Sequence, residues 1–176
     1  MQVIVGLGNP GQKYQGSRHN VGKDFLETLA AVLPKSAKVA ELNVYMNNSG
    51  AAIRKRVPSA IAAKQLVVLH DDLDLPLGVV KISYGSGSGG HKGVESIIRA
   101  LKTKNFIRVR IGISPATPSG KVKKPDASKT VDFVLGKFRA GEAAKLKTAR
   151  KKVADALKIL LTDGLARAMT EINSRG

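Results

Sequence analysis

Two parts of the sequence carry polar side chains of the kinds that support acid and base chemistry. His19 precedes an apolar pattern of helical spacing, and a histidine can act as a general base near neutral pH. Asn9 lies in a glycine-rich turn, where its amide can both donate and accept hydrogen bonds. Residues 70–74 read His-Asp-Asp-Leu-Asp and directly follow the apolar run Leu66 to Leu69. These residue types suit proton transfer and hydrogen bonding to a substrate.

The spacing of the acidic cluster leaves three interpretations open. It can be a site at a strand end, where α/β folds build their sites, or a metal site, or a solvated turn. His19 taken alone can equally be a capping or packing residue. The absence of Cys excludes thiol catalysis, thiolate zinc sites and disulfides.

The elements around these residues alternate between short β-like runs and helical patterns, which predicts an α/β layer architecture. A length of 176 residues favours a single domain over 1–176. We expect strands at 1–5, 66–69, 79–84 and 106–113. We expect helices at about 20–33, 94–101 and 141–161, and a shorter one ending near Ile172. Residues 115–129 have the composition of a mobile loop.

Residues 6–11, Gly-Leu-Gly-Asn-Pro-Gly, fit the dinucleotide-binding pattern and follow a predicted strand. That pattern needs its last glycine to open a helix that holds the pyrophosphate. Here Gly11 is followed by six polar or glycine-rich residues before any helical period begins. A nucleotide cofactor is therefore not expected.

The net positive charge of the chain indicates which class of partner it binds. Thirty Lys and Arg against thirteen Asp and Glu give a formal charge of +17, which attracts polyanions. Nucleic acid is the leading partner class, and a solubilising surface or attraction to anionic membranes are the alternatives. Three Tyr, four Phe and no Trp disfavour a long stacking platform, so backbone phosphates are the expected target. No apolar run approaches the roughly 18 residues of a membrane span, which predicts a soluble protein.

Seven strings of the sequence decide between these interpretations when they are taken together. In order they are GLGNPGQKY, SRHNVG, YMNNSG, HDDLDLPLG, GSGSGGHKG, RVRIGI and FVLGKF. From about Val3 to Phe138 they resemble the bacterial-type peptidyl-tRNA hydrolases, and the AMTEIN ending is similar to the C-terminal helix of that family. The resemblance implies a twisted mixed β-sheet flanked by helices.

The resemblance also implies an activity, which is hydrolysis of the ester between a peptide and the 3′ ribose of tRNA. Such an enzyme recycles tRNA from aborted translation and needs neither metal nor cofactor. Its partner would be peptidyl-tRNA, contacted at the acceptor stem, the 3′ CCA end and the phosphate backbone. We expect a monomer in the cytoplasm, or in an organelle if a presequence has been removed, with no membrane partner.

The resemblance assigns four residues to the reaction. His19 matches the general base that activates water, and Asp71 would orient its imidazole and stabilise the protonated form. Asn9 matches a residue that distinguishes a blocked amine from a free one, and it could accept from the peptide N–H. Asn47 matches a residue that holds the ester and its water near His19.

Further residues match substrate contacts. Tyr14 and Tyr45 correspond to positions that contact the terminal nucleotide or the peptide. Met46 would line the apolar wall between them, or be plain core. Asn20 is expected to start the first helix and to have a secondary role, and Asp72 and Asp74 are expected to be structural.

The tRNA contacts depart from the family pattern. The family holds the tRNA 5′-phosphate with two basic residues, of which Arg110 matches one. The other falls at Ser83, and we expect Lys81 to substitute for it in part. Lys92 replaces the usual Asn, which favours a phosphate contact. We suggest that the basic helix at 141–161 also meets the tRNA backbone.

The largest departure is a deletion. Only about a dozen residues separate Leu33 from Met46, where the family carries a β-hairpin of roughly 20 residues. Two strands are expected to be missing or reduced to 38–44, which would hold Asn47 less firmly. An active hydrolase, with 115–129 as a lid, is therefore weighed against a non-catalytic RNA-binding relative of the same fold. The intact catalytic residues favour the hydrolase.

Overall fold

The computed structural model describes residues 2–175 and contains one five-stranded mixed sheet. The strands are β1 (Gln2–Gly6), β2 (Ala37–Val39), β3 (Leu66–Pro76), β4 (Val80–Tyr84) and β5 (Ile107–Ser114). Their order is β2-β1-β3-β5-β4, and only β4 is antiparallel to its neighbour. The predicted α/β class with a mixed sheet is confirmed, and residue 1 of the first predicted strand lies outside the described residues.

Seven α-helices accompany the sheet within the described part of the chain. They are α1 (Val21–Leu29), α2 (Ser49–Arg54), α3 (Ala60–Ala63), α4 (Lys92–Leu101), α5 (Thr130–Leu135), α6 (Ala143–Asp163) and α7 (Leu165–Asn173). Short 3-10 turns lie at Arg18–Asn20, Ala30–Val32, Met46–Asn48, Ala127–Lys129 and Ala140–Glu142. The four predicted helices are confirmed. The short helices α2, α3 and α5 were not predicted, because one turn or two is too little for a periodic pattern.

The helices cover both faces of the sheet, as alternation along the strands requires. Val67 and Leu69 of β3 pack in one buried cluster with α1, α6 and α7. Leu66 and Val68, which point to the opposite face, pack in a second cluster with α2 and α4. The central strands therefore read as continuous apolar runs.

β3 continues well beyond its apolar part. The prediction that this strand ends at Leu69 is wrong, because β5 runs beside the polar residues and pairs with them. His70 pairs with Arg110 and Asp71 with Ile111, and a bulge follows between Asp72 and Pro76. Asp71 and its neighbours are consequently held by a rigid strand rather than by a loop after it.

The shortened segment keeps one strand. β2 has three residues and lies parallel to β1 at the edge of the sheet. The chain then runs through Ala40 and Leu42, which are buried in the cluster with α2 and α4, toward Met46. The predicted reduction of this region is confirmed.

The opposite edge of the sheet is closed by α7. The Asn173 amide accepts from the Ile82 N–H at 2.7 Å and donates to the Ile82 carbonyl at 3.0 Å. Lys81 donates to the backbone carbonyl of Asn173. At Ile82, this side chain thus supplies the two backbone hydrogen bonds that a sixth strand would make there. Among the described residues, no helix is long and apolar enough to cross a membrane.

Candidate active site

A cleft of about 520 Å³ opens beside the polar part of β3. It brings together most of the predicted site residues, with apolar side chains along one wall. Its lining includes Asn9, His19, Tyr45, Met46, Asn47, His70, Asp71, Asp72, Leu73, His91, Lys92, Thr130, Val131, Val134 and Leu135.

His19 and Asp71 form a hydrogen-bonded pair at the floor of this cleft. The His19 Nδ1 lies 2.9 Å from one Asp71 oxygen and 3.0 Å from the other. The His19 side chain is 12% exposed and the Asp71 side chain 3%. The carboxylate accepts, so Nδ1 carries the proton and Nε2 keeps a free lone pair. The arrangement is that of a general base with a carboxylate behind it.

The helix that follows His19 sets its distance from β3. Gly22 of α1 packs so closely on the backbone of Leu69 that an added Cβ would overlap the Leu69 carbonyl. Gly6 at the end of β1 meets the backbone of Gly22 in the same way. Two glycines therefore allow α1 to approach the sheet and place His19 beside Asp71.

The two partners shift each other's proton affinity. Burial of His19 disfavours the imidazolium, but the charge of Asp71 and the hydrogen bond to it outweigh burial and raise the pKa of His19 above 6.5. Burial would by itself raise the pKa of Asp71. The interactions with His91 and His19 instead hold the pKa of Asp71 far below its usual range, so it remains a carboxylate.

Two further histidines complete the cluster. His91 donates from Nε2 to an Asp71 oxygen at 2.8 Å, and its Nδ1 accepts from the N–H groups of Gly93 and Val94 at 3.1 and 3.3 Å. His70 donates from Nδ1 to the Asp71 backbone carbonyl at 2.6 Å. Burial, followed by the influence of His91, lowers the pKa of His70 well below its usual value, so this ring is neutral.

Sequence reasoning gave neither of these histidines a role. His91 stood in the string GSGSGGHKG, immediately before the apolar positions of α4. That placement was a signal for the N-cap of the helix, although Ser, Thr, Asp and Asn are the usual residues there.

The ligand atoms of His19, Asp71 and His91 lie within 4.8 Å of one another, a spacing that invites a test for metal binding. The hydrogen bonds argue against it. Both ring nitrogens that face Asp71 carry protons, and the other nitrogen of His91 is engaged by the backbone of α4. The three groups form a donor and acceptor network in which no lone pair of the histidines points inward.

Asn9 is fixed by three hydrogen bonds, and its orientation differs from the one expected. Its Oδ1 accepts from the Met46 N–H at 2.8 Å, which leaves the Nδ2 group as a donor. Asn20 binds both backbone groups of Asn9, accepting from its N–H at 2.8 Å and donating to its carbonyl at 2.9 Å. Asn20 thus precedes α1 as expected, but its side chain positions Asn9 and does not cap the helix.

Asn47 lies exposed at the rim of the cleft, in the 3-10 turn Met46–Asn48. Its backbone carbonyl accepts from the Ser96 Oγ of α4 at 2.7 Å, and Ser96 also accepts from the Gly50 N–H at 3.0 Å. This bridge to α4 ties down the turn despite the shortened segment. Met46 has both expected roles, since it is buried in the cluster with α4 and lines the cleft.

Two tyrosines stand at one side of the cleft. Tyr14 and Tyr45 pack edge to face with ring centroids 6.4 Å apart. Tyr45 is 55% exposed and lines the cleft. The exposed Tyr45 ring offers an aromatic surface on which a base or a peptide side chain can stack.

Comparison with known proteins finds relatives that match almost the whole length of the chain. The family model described as peptidyl-tRNA hydrolase matches residues 3–176. The chain belongs to the peptidyl-tRNA hydrolase family. It is 37% identical to the peptidyl-tRNA hydrolase of Thermodesulfovibrio yellowstonii over 98% of this chain and 99% of that protein. It is 35% identical to that of Syntrophotalea carbinolica, covering 99% and 98%.

A solved structure is similar as well. The crystal structure of peptidyl-tRNA hydrolase from Acinetobacter baumannii superimposes with a TM-score of 0.84 at 28% identity, covering 99% of this chain and 95% of that one. The peptidyl-tRNA hydrolase fold is thus retained although the segment before Met46 is short.

The basic residues of this family member lie on the sheet face that carries α4. Arg110 donates from Nε to Asp72 at 2.7 Å, beside the cleft. Arg108, two residues earlier on the same face, is 4% exposed. Its side chain forms no hydrogen bond or ion pair within residues 2–175, but the charges of Arg110 and Asp72 both act on it. Lys81 lies opposite Arg110 in the sheet but directs its ammonium group to α7. Lys92 is exposed and pairs with Glu95 at 3.6 Å.

The wall opposite Asn9 is built by α5 and not by residues 115–129. The cleft is lined by Thr130, Val131, Val134 and Leu135 of this helix. No described residue of the preceding loop lines the cleft, and Lys124 of that loop pairs with Asp74. The expected lid is thus replaced by a helix that follows it directly. Its side chains were missed because a two-turn helix after a Lys- and Pro-rich segment gives little signal.

Arg18 connects this wall to the turn that carries His19. Its guanidinium lies 4.7 and 4.8 Å from the ring centroids of Phe133 and Phe138 and binds both Glu142 oxygens at 3.0 and 3.2 Å. It also donates to the Lys137 carbonyl at 3.2 Å. An arginine that is 5% exposed was not expected from the sequence, since charged residues are rarely buried.

Proposed function

We propose that this enzyme hydrolyses the ester between a peptide and the 3′ ribose of tRNA with His19 as the general base and Asp71 as its orienting carboxylate. The observation that carries the proposal is the His19 pair with Asp71, which leaves the His19 Nε2 available in a cleft large enough for the ester. Membership of the peptidyl-tRNA hydrolase family supports the substrate class.

The reaction needs one proton acceptor and no covalent nucleophile. Water attacks the ester carbonyl while its proton passes to the His19 Nε2. The negative charge of Asp71 stabilises the imidazolium that forms. When the tetrahedral intermediate collapses, the bond to the ribose oxygen breaks and that oxygen takes the proton from His19.

Asn9 and Asn47 supply amide groups beside the base. We assign Asn9 Nδ2 to a carbonyl oxygen of the substrate, because its Oδ1 already accepts from Met46. A blocked aminoacyl group offers such a carbonyl, whereas a free α-ammonium would face an N–H donor of like polarity. The Asn47 side chain, which has no hydrogen bond to another described residue, is assigned to the ester and its water.

The phosphate contacts are assigned to the basic sheet face beside the cleft. Arg110 is paired with Asp72, whereas nearly buried Arg108 forms no ion pair within residues 2–175, and the charge of Arg110 acts on it more strongly than that of Asp72. A phosphate that enters here would relieve the repulsion between the two arginines. Lys92 extends this face toward the cleft. Lys81 remains a predicted contact, although its hydrogen bond to α7 makes it secondary to Arg108.

The wider role follows from the substrate. We propose a monomeric cytoplasmic enzyme that contacts the acceptor stem and 3′ CCA end of tRNAs left with a peptide by aborted translation. Each face of the sheet is already covered by helices from the same chain, which supports a monomer.

The decisive test is the release of N-acetyl-aminoacyl groups from tRNA by the wild type and by His19→Ala, with unblocked aminoacyl-tRNA in parallel. We expect cleavage of the blocked substrate alone, reduced at least about 100-fold by the substitution. Cleavage that survives His19→Ala would remove His19 as the base. No cleavage by the wild type, despite tight tRNA binding that weakens with salt, would instead identify a non-catalytic RNA-binding relative.

A further inference from the structure

The N-terminus of α4 holds His91 in a single tautomer. The N–H groups of Gly93 and Val94 both donate to the His91 Nδ1. A backbone N–H can only donate, so Nδ1 carries no proton and Nε2 must carry it. A proton on both nitrogens would remove the N-cap of the helix.

That tautomer aims one N–H at the carboxylate behind the general base. The His91 Nε2 lies 2.8 Å from the Asp71 Oδ1, and the His19 Nδ1 lies 2.9 Å from the Asp71 Oδ2. The His91 side chain is only 7% exposed. The ring of His70 packs against it edge to face, with centroids 4.8 Å apart, and fixes its plane.

We propose that His91 is a positioning residue, which as the N-cap of α4 holds one oxygen of Asp71 so that the carboxylate stays aligned on His19 and divides its charge between two imidazoles. The inference rests on the proposed role of His19. It gives the N-cap of α4, whose ring also lies against that of His19 with centroids 4.8 Å apart, a part in setting the basicity of His19.

The consequence for proton affinity has a definite sign. Without the N–H of His91, the charge of Asp71 would act on His19 alone, and a negative charge favours the imidazolium. The pKa of His19, which Asp71 already raises, would then rise further. Since the base must be unprotonated, activity would require a higher pH.

The other charged groups around the cluster do not change in this comparison. On β3, His70 is neutral and Asp72 is paired with Arg110. Arg108 of β5 acts weakly on His70 and interacts with Arg110 and Asp72. Lys92 of α4 is paired with Glu95, and the side chains that α5 places in the cleft are uncharged.

Two substitutions separate the bond to Asp71 from the cap of the helix. His91→Ser keeps an N-cap hydroxyl but is too short to reach Asp71. His91→Gln retains an N–H donor near the position of Nε2 but is a poor N-cap. We expect the acidic limb of kcat/KM to move to higher pH by on the order of one unit in His91→Ser, with kcat reduced about 10-fold. In His91→Gln the acidic limb of kcat/KM should lie at the wild-type pH, although this variant should be less stable to unfolding.

Imidazole NMR provides a second readout that does not depend on turnover. The chain has only three histidines, so ¹⁵N and ¹H ring signals can be assigned with His19→Ala and His91→Ser. We expect the Nε2–H form for His91 and the Nδ1–H form for His19 and His70. The pKa of His19, followed directly, should rise in His91→Ser.

Three results would overturn the inference. One is an Nδ1–H form of His91 in the wild type, and another is an unchanged His19 titration in His91→Ser. The third is loss of thermal stability in both variants with the pH profile unaltered, which would reduce His91 to a structural cap. Failure of the proposed function is distinguishable, because it would appear in the wild type and in His19→Ala before His91 is changed.

Discussion

At the scale of single residues, the site works through the number of hydrogen bonds that one carboxylate accepts. Asp71 is 3% exposed and takes an N–H from each of two imidazoles, and these interactions hold its pKa far below its usual range, so it stays ionised although it is buried. Its charge selects the Nδ1–H tautomer of His19. The reactive nitrogen therefore faces the cleft before any substrate arrives.

Asp71→Asn tests this dependence on charge. The amide retains the shape but cannot stabilise the imidazolium and can present its N–H to His19 in the wrong tautomer. We expect kcat/KM for N-acetyl-aminoacyl-tRNA to fall by about 10³-fold to 10⁴-fold. Asp74→Asn is the matched control, because this acid is exposed and pairs only with exposed Lys124, and it should keep the wild-type rate. Equal losses in the two variants would contradict the role of Asp71.

The pH profile of the wild type provides a second residue-level prediction. The pKa of His19 is raised because the charge of Asp71 outweighs burial, and the imidazolium cannot accept a proton from water. We expect kcat/KM to rise with pH through a single limb centred above 6.5. In Asp71→Asn the residual activity should show that limb at lower pH, because the favourable charge is gone. A limb that does not move would point to a different titrating group.

At the scale of elements, the site depends on two close approaches that bring loops to the sheet. α1 reaches β3 through Gly22, and α5 is attached to the turn that bears His19 through Arg18. Through these contacts, β3 sets the position of both His19 and the apolar wall of the cleft.

Gly22→Ala would separate α1 from β3, because the new methyl group would overlap the backbone carbonyl of Leu69. A strand backbone cannot move aside as a flexible side chain can. We expect a loss of about 1–3 kcal/mol in the free energy of unfolding and a fall in kcat/KM on the order of 100-fold.

Gly141→Ala is the control, since an added Cβ meets no atom within 4 Å there. Urea denaturation and steady-state kinetics measure both effects, and normal activity in Gly22→Ala would show that His19 tolerates the displacement.

Glu142→Ala tests the attachment of α5. It leaves the guanidinium of Arg18 buried between two aromatic rings without its carboxylate. We expect the free energy of unfolding to fall by about 1–3 kcal/mol and KM for peptidyl-tRNA to rise as the wall loosens. Glu171→Ala removes an arginine partner from exposed α7 and should cost much less. If both variants lose the same small amount, the Arg18 contacts do not secure the wall.

At the scale of the whole molecule, the excess of positive charge has to be directed for tRNA to be bound in one orientation. The arginines beside the cleft and the lysines of α6 lie on opposite faces of the sheet, because Val109 and Ile111 point toward α6 while Arg108 and Arg110 alternate with them. A tRNA that contacts both sets would have to pass the β4 edge.

Charge reversal on α6 tests whether this helix contacts the tRNA. For the double variant Lys151→Glu and Lys152→Glu, we expect KM for full-length peptidyl-tRNA to rise on the order of 10-fold. The slope of log affinity against log salt should decrease by about 2. The double variant Lys35→Glu and Lys38→Glu makes the same change in net charge at the β2 edge and should leave both values near wild type. Equal effects of the two pairs would mean that only total charge matters.

The sequence predicted the fold class, the main helices and the set His19, Asp71, Asn9 and Asn47, because these lie in strings whose order resembles one family. Spacing alone would not have paired His19 with Asp71, since the contact joins the turn before α1 to the middle of β3. The buried Arg18, the tautomer of His91 and the orientation of Asn9 were beyond reach. Arg18 and Asn9 are fixed by partners that are distant in sequence. The tautomer of His91 is fixed by two nearby backbone N–H groups, whose direction is set only when α4 has formed.

The closure of the β4 edge by Asn173 has a consequence for how the protein is made. Ile82 leaves the ribosome 91 residues before the side chain that covers its N–H and carbonyl. At synthesis rates of about 5–20 residues per second, the edge stays open for roughly 5–20 s. Throughout that interval β4 can pair with a strand of another nascent chain. We expect truncation before α7 to cause aggregation, and the last helix therefore acts as the step that ends this vulnerable period of biosynthesis.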